Sequence, residues 1–146
     1  MIFLDTGFVF ALFVEGDEHS DRVQEVFEGY RGRRLQDILV ITNHVISETV
    51  TLLRKRGHPD PRVRHRLAVE VGEQLFAGTL GRVYRTSEDE ERAAFAYFGK
   101  HQDQVYSFVD CLSFVVMEKL GITEALAVDP DFEHRFIARP GPRRKR

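Results

Sequence analysis

Ile38-Leu39-Val40-Ile41-Thr42 sets four aliphatic residues in a row before a threonine, and Asn43 follows as a residue suited to capping a helix. A strand with one wet face alternates apolar and polar residues, but this run offers no polar face to water. It reads as a strand covered on both sides, which belongs in a parallel sheet between helical layers. Upstream, Ile2-Phe3-Leu4-Asp5 reads as a second such strand, with Thr6-Gly7 as the turn out of it. Downstream, Arg82-Val83-Tyr84-Arg85 is a weaker strand, Glu124 to Val128 a strong one, and Phe136-Ile137-Ala138 a short fifth.

Helical patterns fill the intervals. Phe8 to Val14 is too apolar to be exposed, and a helix to about Tyr30 puts Val23, Val26 and Phe27 on one face. The helix opened by Asn43 runs to Arg56 and stops at Gly57, with Pro59 beyond. Residues 61–77 carry Val63, Leu67, Val71 and Leu75 at a spacing of four. Ser87-Glu88-Asp89-Glu90 and Ser107-Phe108-Val109-Asp110 both have capping-box spacing, and the second opens an apolar helix ending at Gly121. Strands alternating with helices give a three-layer α/β/α sandwich around a central, mainly parallel sheet. The expected division is one domain over residues 1–138 and a basic tail over 139–146.

The chain has 146 residues, 42% apolar and 30% charged, enough for one domain with a sizeable core. Its net charge of −2 advertises no whole-surface attraction for nucleic acid. The single cysteine, Cys111, excludes an internal disulfide and reads as a small buried hydrophobe. No Cys/His set has zinc-ligand spacing; His101 and His134 stand alone. No apolar run is long enough for a membrane helix, and the start lacks the basic flank of a secretion signal. A cytoplasmic protein is expected.

Four lone carboxylates mark the edges of the most apolar segments: Asp5, Glu48, Asp110 and Asp129. None has an Arg or Lys at helix spacing to neutralise it, and burying an unpaired charge is costly. Asp5 and Asp129 each end an expected strand, at the rim where open parallel sheets build their sites. Glu48 shares a helix face with Val45 and Leu52 and so points inward, with only His44 at helix spacing. Asp110 takes the third position of its helix, where the dipole favours a negative charge. Singly, Asp110 reads as a capping acid, Asp129 as a turn residue and Glu48 as an exposed acid. Jointly, the topology sends all four to one rim. Two like charges ~4 Å apart repel by roughly 4 kcal/mol at an effective dielectric of 20, so such a cluster takes up protons or cations. Oxygen-only ligands suit Mg²⁺ or Mn²⁺, which activate water and bind phosphodiester oxygens.

Leu4-Asp5-Thr6, Ile46-Ser47-Glu48, Ser107-Phe108-Val109-Asp110-Cys111-Leu112-Ser113 and Ala127-Val128-Asp129-Pro130-Asp131-Phe132 together resemble the PIN domain, and within it the VapC-type toxins of bacterial toxin–antitoxin pairs. The likeness covers nearly the whole chain, and the third segment is its most specific carrier. It implies that Asp5, Glu48, Asp110 and Asp129 are the catalytic acids that bind Mg²⁺ or Mn²⁺ for cleavage of single-stranded RNA. Thr6 and Ser107 match supporting hydroxyl positions. A homodimer and a small cognate antitoxin that blocks the site are also implied. Ala127 stands where many relatives carry Thr or Ser, which leaves Asp131 as the alternative ligand to Asp129.

Phosphate contacts dominate RNA affinity, so basic clusters are the candidate grips. They are Arg31, Arg33 and Arg34; Arg54, Lys55 and Arg56; and Arg143, Arg144, Lys145 and Arg146. Arg54, Lys55, Arg143 and Arg144 are the RNA-binding candidates, although Arg54 to Arg56 also suits the end of a helix dipole. Phe8 lies near the first acid but suits core packing, and of the run Glu88 to Glu91 only Asp89 is a candidate acid. A haloacid-dehalogenase-like phosphatase would need a second Asp at Gly7, and a receiver domain would need adjacent acids after the first strand. The remaining alternative is a non-catalytic PIN-like RNA-binding or scaffold module, which has no use for four mutually repelling acids.

Overall fold

A computed structural model describes residues 1–145. Its five strands are β1 (Ile2–Leu4), β2 (Leu39–Thr42), β3 (Arg82–Tyr84), β4 (Glu124–Ala127) and β5 (Ile137–Pro140). They form one sheet in the order β3-β2-β1-β4-β5, and every neighbouring pair is parallel. The register sets Phe3 beside Val40 on one side and Ala125 on the other. All four residues of β2 are buried, as the absence of a polar face in its sequence requires.

Six helices cover the sheet: α1 (Thr6–Phe13), α2 (Ser20–Glu28), α3 (Asn43–Arg56), α4 (Pro61–Phe76), α5 (Glu88–Lys100) and α6 (Phe108–Lys119). The chain steps from β1 to β2 to β3 in one direction, then returns across the sheet to β4. Right-handed crossovers put the helices of the outward steps on one face and those of the return on the other. Accordingly α1 packs on α2 and α3, α3 packs on α4, and α5 and α6 pair with each other. The steps reverse direction between β1 and β4, which makes the crevice outside their carboxyl ends the place for a site.

Several boundaries differ from expectation for local reasons. Thr6 and Gly7 open α1 rather than making a turn, because Asp5 caps the helix by accepting from the Gly7 amide. The cap of α3 is Thr42, whose hydroxyl accepts from the Val45 amide at 3.1 Å, so Asn43 is already helical. Freed from capping, Asn43 accepts from the Thr86 amide and ties α3 to the segment after β3. β4 ends at Ala127, one residue earlier than expected, and β5 continues through Pro140. Arg139 and Pro140, expected in the tail, are therefore sheet residues. Arg146 lies outside the described residues.

Candidate active site

Three of the four acids, Asp5, Asp110 and Asp129, are held by backbone hydrogen bonds at the rim, and Glu48 projects from within α3. Asp5 follows β1 directly, donates its amide to the Leu126 carbonyl at 3.0 Å and caps α1 with its carboxylate. That seat leaves it only 5% exposed. Gly7 lets α1 start this close to β4: a β-carbon there would stand 2.8 Å from Val128 Cγ2. Asp110 is the third residue of α6, and both halves of the capping box form: the Ser107 amide donates to its carboxylate at 2.9 Å and its own amide donates to Ser107 Oγ at 3.0 Å. Asp129 caps the 3₁₀ turn Pro130–His134 by accepting from the Asp131 amide at 2.9 Å. That turn is anchored by Phe132, fully buried and packed against Phe3 of β1 and Phe114 of α6 at ring separations of 6.3 and 5.2 Å. Glu48 is half-buried on α3, and His44, its only neighbour at helix spacing, turns instead to Glu91 at 3.1 Å.

The structure brings Asp5, Glu48, Asp110 and Asp129 to the lining of one cavity of ≈ 540 Å³, together with Thr6, Gly7, His19, Leu52 and Ser107. Asp131 is not part of that lining, yet one carboxylate oxygen each of Asp110, Asp129 and Asp131 lie within 4.8 Å of one another. The alternative ligand read from the sequence thus stands beside the fourth acid rather than in place of it.

Protonation is displaced as crowded acids require. Burial, then the charges of Asp110, Glu48 and Asp129, push the Asp5 carboxyl well above the usual range, against a lowering hydrogen bond from the Thr6 amide. Asp110 is pushed up to about 6, by burial first and then by Asp129 and Glu48, while its bonds to Ser107 oppose the rise. Asp131 is raised by burial and by Asp129.

A divalent cation fits this arrangement on its own chemistry. Oxygens on one Mg²⁺, each at about 2.1 Å, lie roughly 3–4 Å apart, so the Asp110, Asp129 and Asp131 group needs only a small contraction to share an ion. The Thr6 hydroxyl oxygen is shielded from solvent and has no hydrogen-bond partner among the described residues. In a cavity lined by acids, such a group fits a water or an ion ligand.

The model of the PIN domain family matches residues 2–135. The chain belongs to the PIN domain family. The 23S rRNA-specific endonuclease VapC20 of Mycobacterium tuberculosis is 36% identical over 132 residues, covering 90% of this PIN domain chain and 92% of the relative. A VapC ribonuclease of Archaeoglobus fulgidus is 28% identical over 137 residues, covering 93% and 81%. The crystal structure of the M. tuberculosis VapC20, described as a sarcin-ricin loop cleaving toxin, superposes with a TM-score of 0.78 at 34% identity, covering 92% of this chain and 94% of that one. The three-layer fold expected from the strand pattern is thus the PIN fold.

Other expected positions are spread more widely. Phe8 and Cys111 are fully buried core residues, and burial pushes the Cys111 thiol up. Lys55 lines an adjoining recess that includes His44 and shares Glu48 and Leu52 with the acidic cavity, whereas Arg54 is exposed and lines neither. Arg143 and Arg144 line a different recess, next to the acidic cavity. Arg31 and Arg34 pair with Glu28 and Asp37, and Arg33 lies over the Tyr30 ring. Asp89 is exposed; the buried acid of its run is Glu90, bonded by Tyr84 and Lys119. Among the described residues no helix is long and apolar enough to cross a membrane.

Two lining residues escaped the sequence reading. His19 borders the acidic cavity and Arg22 the recess beside it. Their sequence context, an ordinary polar helix start, carries no signal. They gain neighbours only when Arg22 reaches the Pro140 carbonyl, 118 residues away in sequence.

Proposed function

We propose that this PIN domain is a divalent-cation-dependent endoribonuclease that hydrolyses phosphodiester bonds of single-stranded RNA, acting as the toxin of a type II toxin–antitoxin pair in the cytoplasm. The observation that supports it best is the single cavity lined by Asp5, Glu48, Asp110 and Asp129. The kinship to VapC ribonucleases makes RNA the substrate class in preference to other phosphodiesters.

Asp110, Asp129 and Asp131, whose carboxylate oxygens already lie within 4.8 Å of one another, are the proposed ligands of Mg²⁺ or Mn²⁺ together with Asp5, and Glu48 completes the acidic surround. A bound divalent ion supplies a polarised phosphoryl oxygen and a water of lowered pKa. The chain's own residues do the rest. The capping hydrogen bonds on Asp5, Asp110 and Asp129 fix each carboxylate before substrate arrives, which lowers the cost of organising the site. Glu48, free of His44, is available to accept the proton of an attacking water. The unpartnered Thr6 hydroxyl would be free to hydrogen-bond a water at the acids.

Incubation of labelled single-stranded RNA with the protein should give internal cuts with Mg²⁺ or Mn²⁺ and none with chelator. Asp5→Asn should lower the rate at least a hundredfold without changing the circular dichroism spectrum. Intact RNA under all conditions, with binding retained, would favour the binding-module reading. We further propose a homodimer and a co-encoded antitoxin that covers the acidic cavity. Induction of the chain alone should arrest growth, and Asp5→Asn should relieve the arrest.

A further inference from the structure

We infer that the recess beside the acidic cavity seats a second phosphate of the RNA strand, next to the one being cut, held by His19, Arg22, Arg143 and Arg144. The inference rests on the ribonuclease reading above and says where the substrate leaves the acids. This recess, of ≈ 1100 Å³, shares His19, Val128 and Pro130 with the acidic cavity as common lining. A strand held at the acids therefore meets this wall within its next nucleotide or two.

The charge of the wall is the reverse of the cavity's. Arg22, Arg143, Arg144 and Lys145 line it against the two carboxylates Glu18 and Glu133. Among the described residues none of these four cations has an ion-pair partner. Arg22 is also fixed in place. Its Nη2 donates to the Pro140 carbonyl at 2.7 Å, while its Nη1, shielded from solvent, has no acceptor among the described residues. Nδ1 of His19 is likewise shielded and without a partner among the described residues, while its Nε2 faces the Glu18 carboxylate at 3.4 Å. Leaving the Arg22 donor buried and unsatisfied is costly, and a phosphate is the acceptor whose geometry suits a guanidinium fork.

The fold also steers the basic segment to this place. The Gly141 amide donates to the Ala127 carbonyl at 3.0 Å, pinning the end of β5 to the end of β4. Gly141 itself has φ +73, and a β-carbon there would stand 2.9 Å from a Glu133 carboxylate oxygen and 3.2 Å from the Ala138 carbonyl oxygen. Only glycine makes that turn without strain, and it delivers Arg143, Arg144 and Lys145 beside the recess.

The test measures two properties of the full chain. Binding of a fluorescent single-stranded oligoribonucleotide is followed by anisotropy in chelator across a salt series, and cleavage kinetics are measured with Mg²⁺. Arg143→Gln combined with Arg144→Gln should weaken binding at least tenfold. It should also reduce the slope of log affinity against log salt by about 0.7, since a single strand gives about 0.7 per phosphate contact and the recess holds one phosphate. Arg22→Gln should weaken binding about tenfold, and Arg22→Lys, which keeps the charge, should recover part of the loss. In cleavage the same variants should raise KM with kcat within about twofold of wild type. The proposal is overturned if folded variants match wild type in affinity, salt slope and KM while wild type cleaves RNA. Wild type that binds RNA with the predicted variant losses but never cuts it would retain the recess and remove the nuclease reading. Wild type that neither binds RNA in chelator nor cuts it with Mg²⁺ removes both.

Discussion

Asp110 illustrates how burial and like charges turn a carboxylate into a proton- and cation-binding group. Its folded pKa of about 6 stands above the unfolded value near 3.8, the reverse of the usual paired acid. Its contribution to stability is therefore fully present below about pH 4 and is lost as pH rises through about 6, a penalty of at most about 3 kcal/mol. Asp110→Asn should raise the melting temperature of the metal-free protein at pH 7.5, with the gain vanishing toward pH 4; a gain independent of pH would mean that charge is not its cause. Asparagine can keep the capping bond from the Ser107 amide, so the comparison isolates the charge. For the same reason, cleavage at subsaturating Mg²⁺ should fall steeply as pH drops below about 6, because protons and cations compete for one carboxylate. Saturating Mg²⁺ should move that midpoint to lower pH. The four acids were legible in the sequence because each is a lone charge in an apolar run. Glu90 was not, since its neighbours Glu88, Asp89 and Glu91 disguise it as part of a solvated helix start.

The elements carry Asp5, Asp110 and Asp129 by their ends, so the anchors of those ends set the geometry. Phe132 wedges the turn bearing Asp129 between β1 and α6, and Phe132→Ala should cost about 3–5 kcal/mol in a denaturant melt. Cation affinity should fall beyond what the stability loss explains, because Asp129 would lose its seat; unchanged affinity would free the turn of a positioning role. Gly7→Ala tests the contact between α1 and the residue before Asp129. Its β-carbon would press on Val128, costing about 1–3 kcal/mol and displacing Asp5. The strands and helices were readable because β2 and β4 are short apolar runs and α5 and α6 open on capping boxes. Their ends were less so. Which of Thr42 and Asn43 caps α3 depends on where β2 leaves the sheet, and Asn43 was claimed by the distant Thr86 amide.

Across the whole molecule, the reversal of strand order between β1 and β4 is what gathers residues 5, 48, 110 and 129 from the length of the chain. Composition carried no trace of the substrate, since a net charge of −2 conceals an acidic cavity and a basic recess that share a wall. The parallel order could be inferred from strand type, but the recess could not, because it forms between α2 and the chain after β5. The proposed dimer should sediment at twice the mass of the 16.9 kDa chain; a monomer at micromolar concentration would contradict it. The gathering of acids has a more direct test. Calorimetric titration of Mn²⁺ into the wild-type chain at pH 7.5 should give saturable binding that Asp5→Asn and Asp110→Asn each abolish while circular dichroism stays unchanged. Binding of equal strength in both variants, or no binding to wild type, would show that these acids do not form a common cation site.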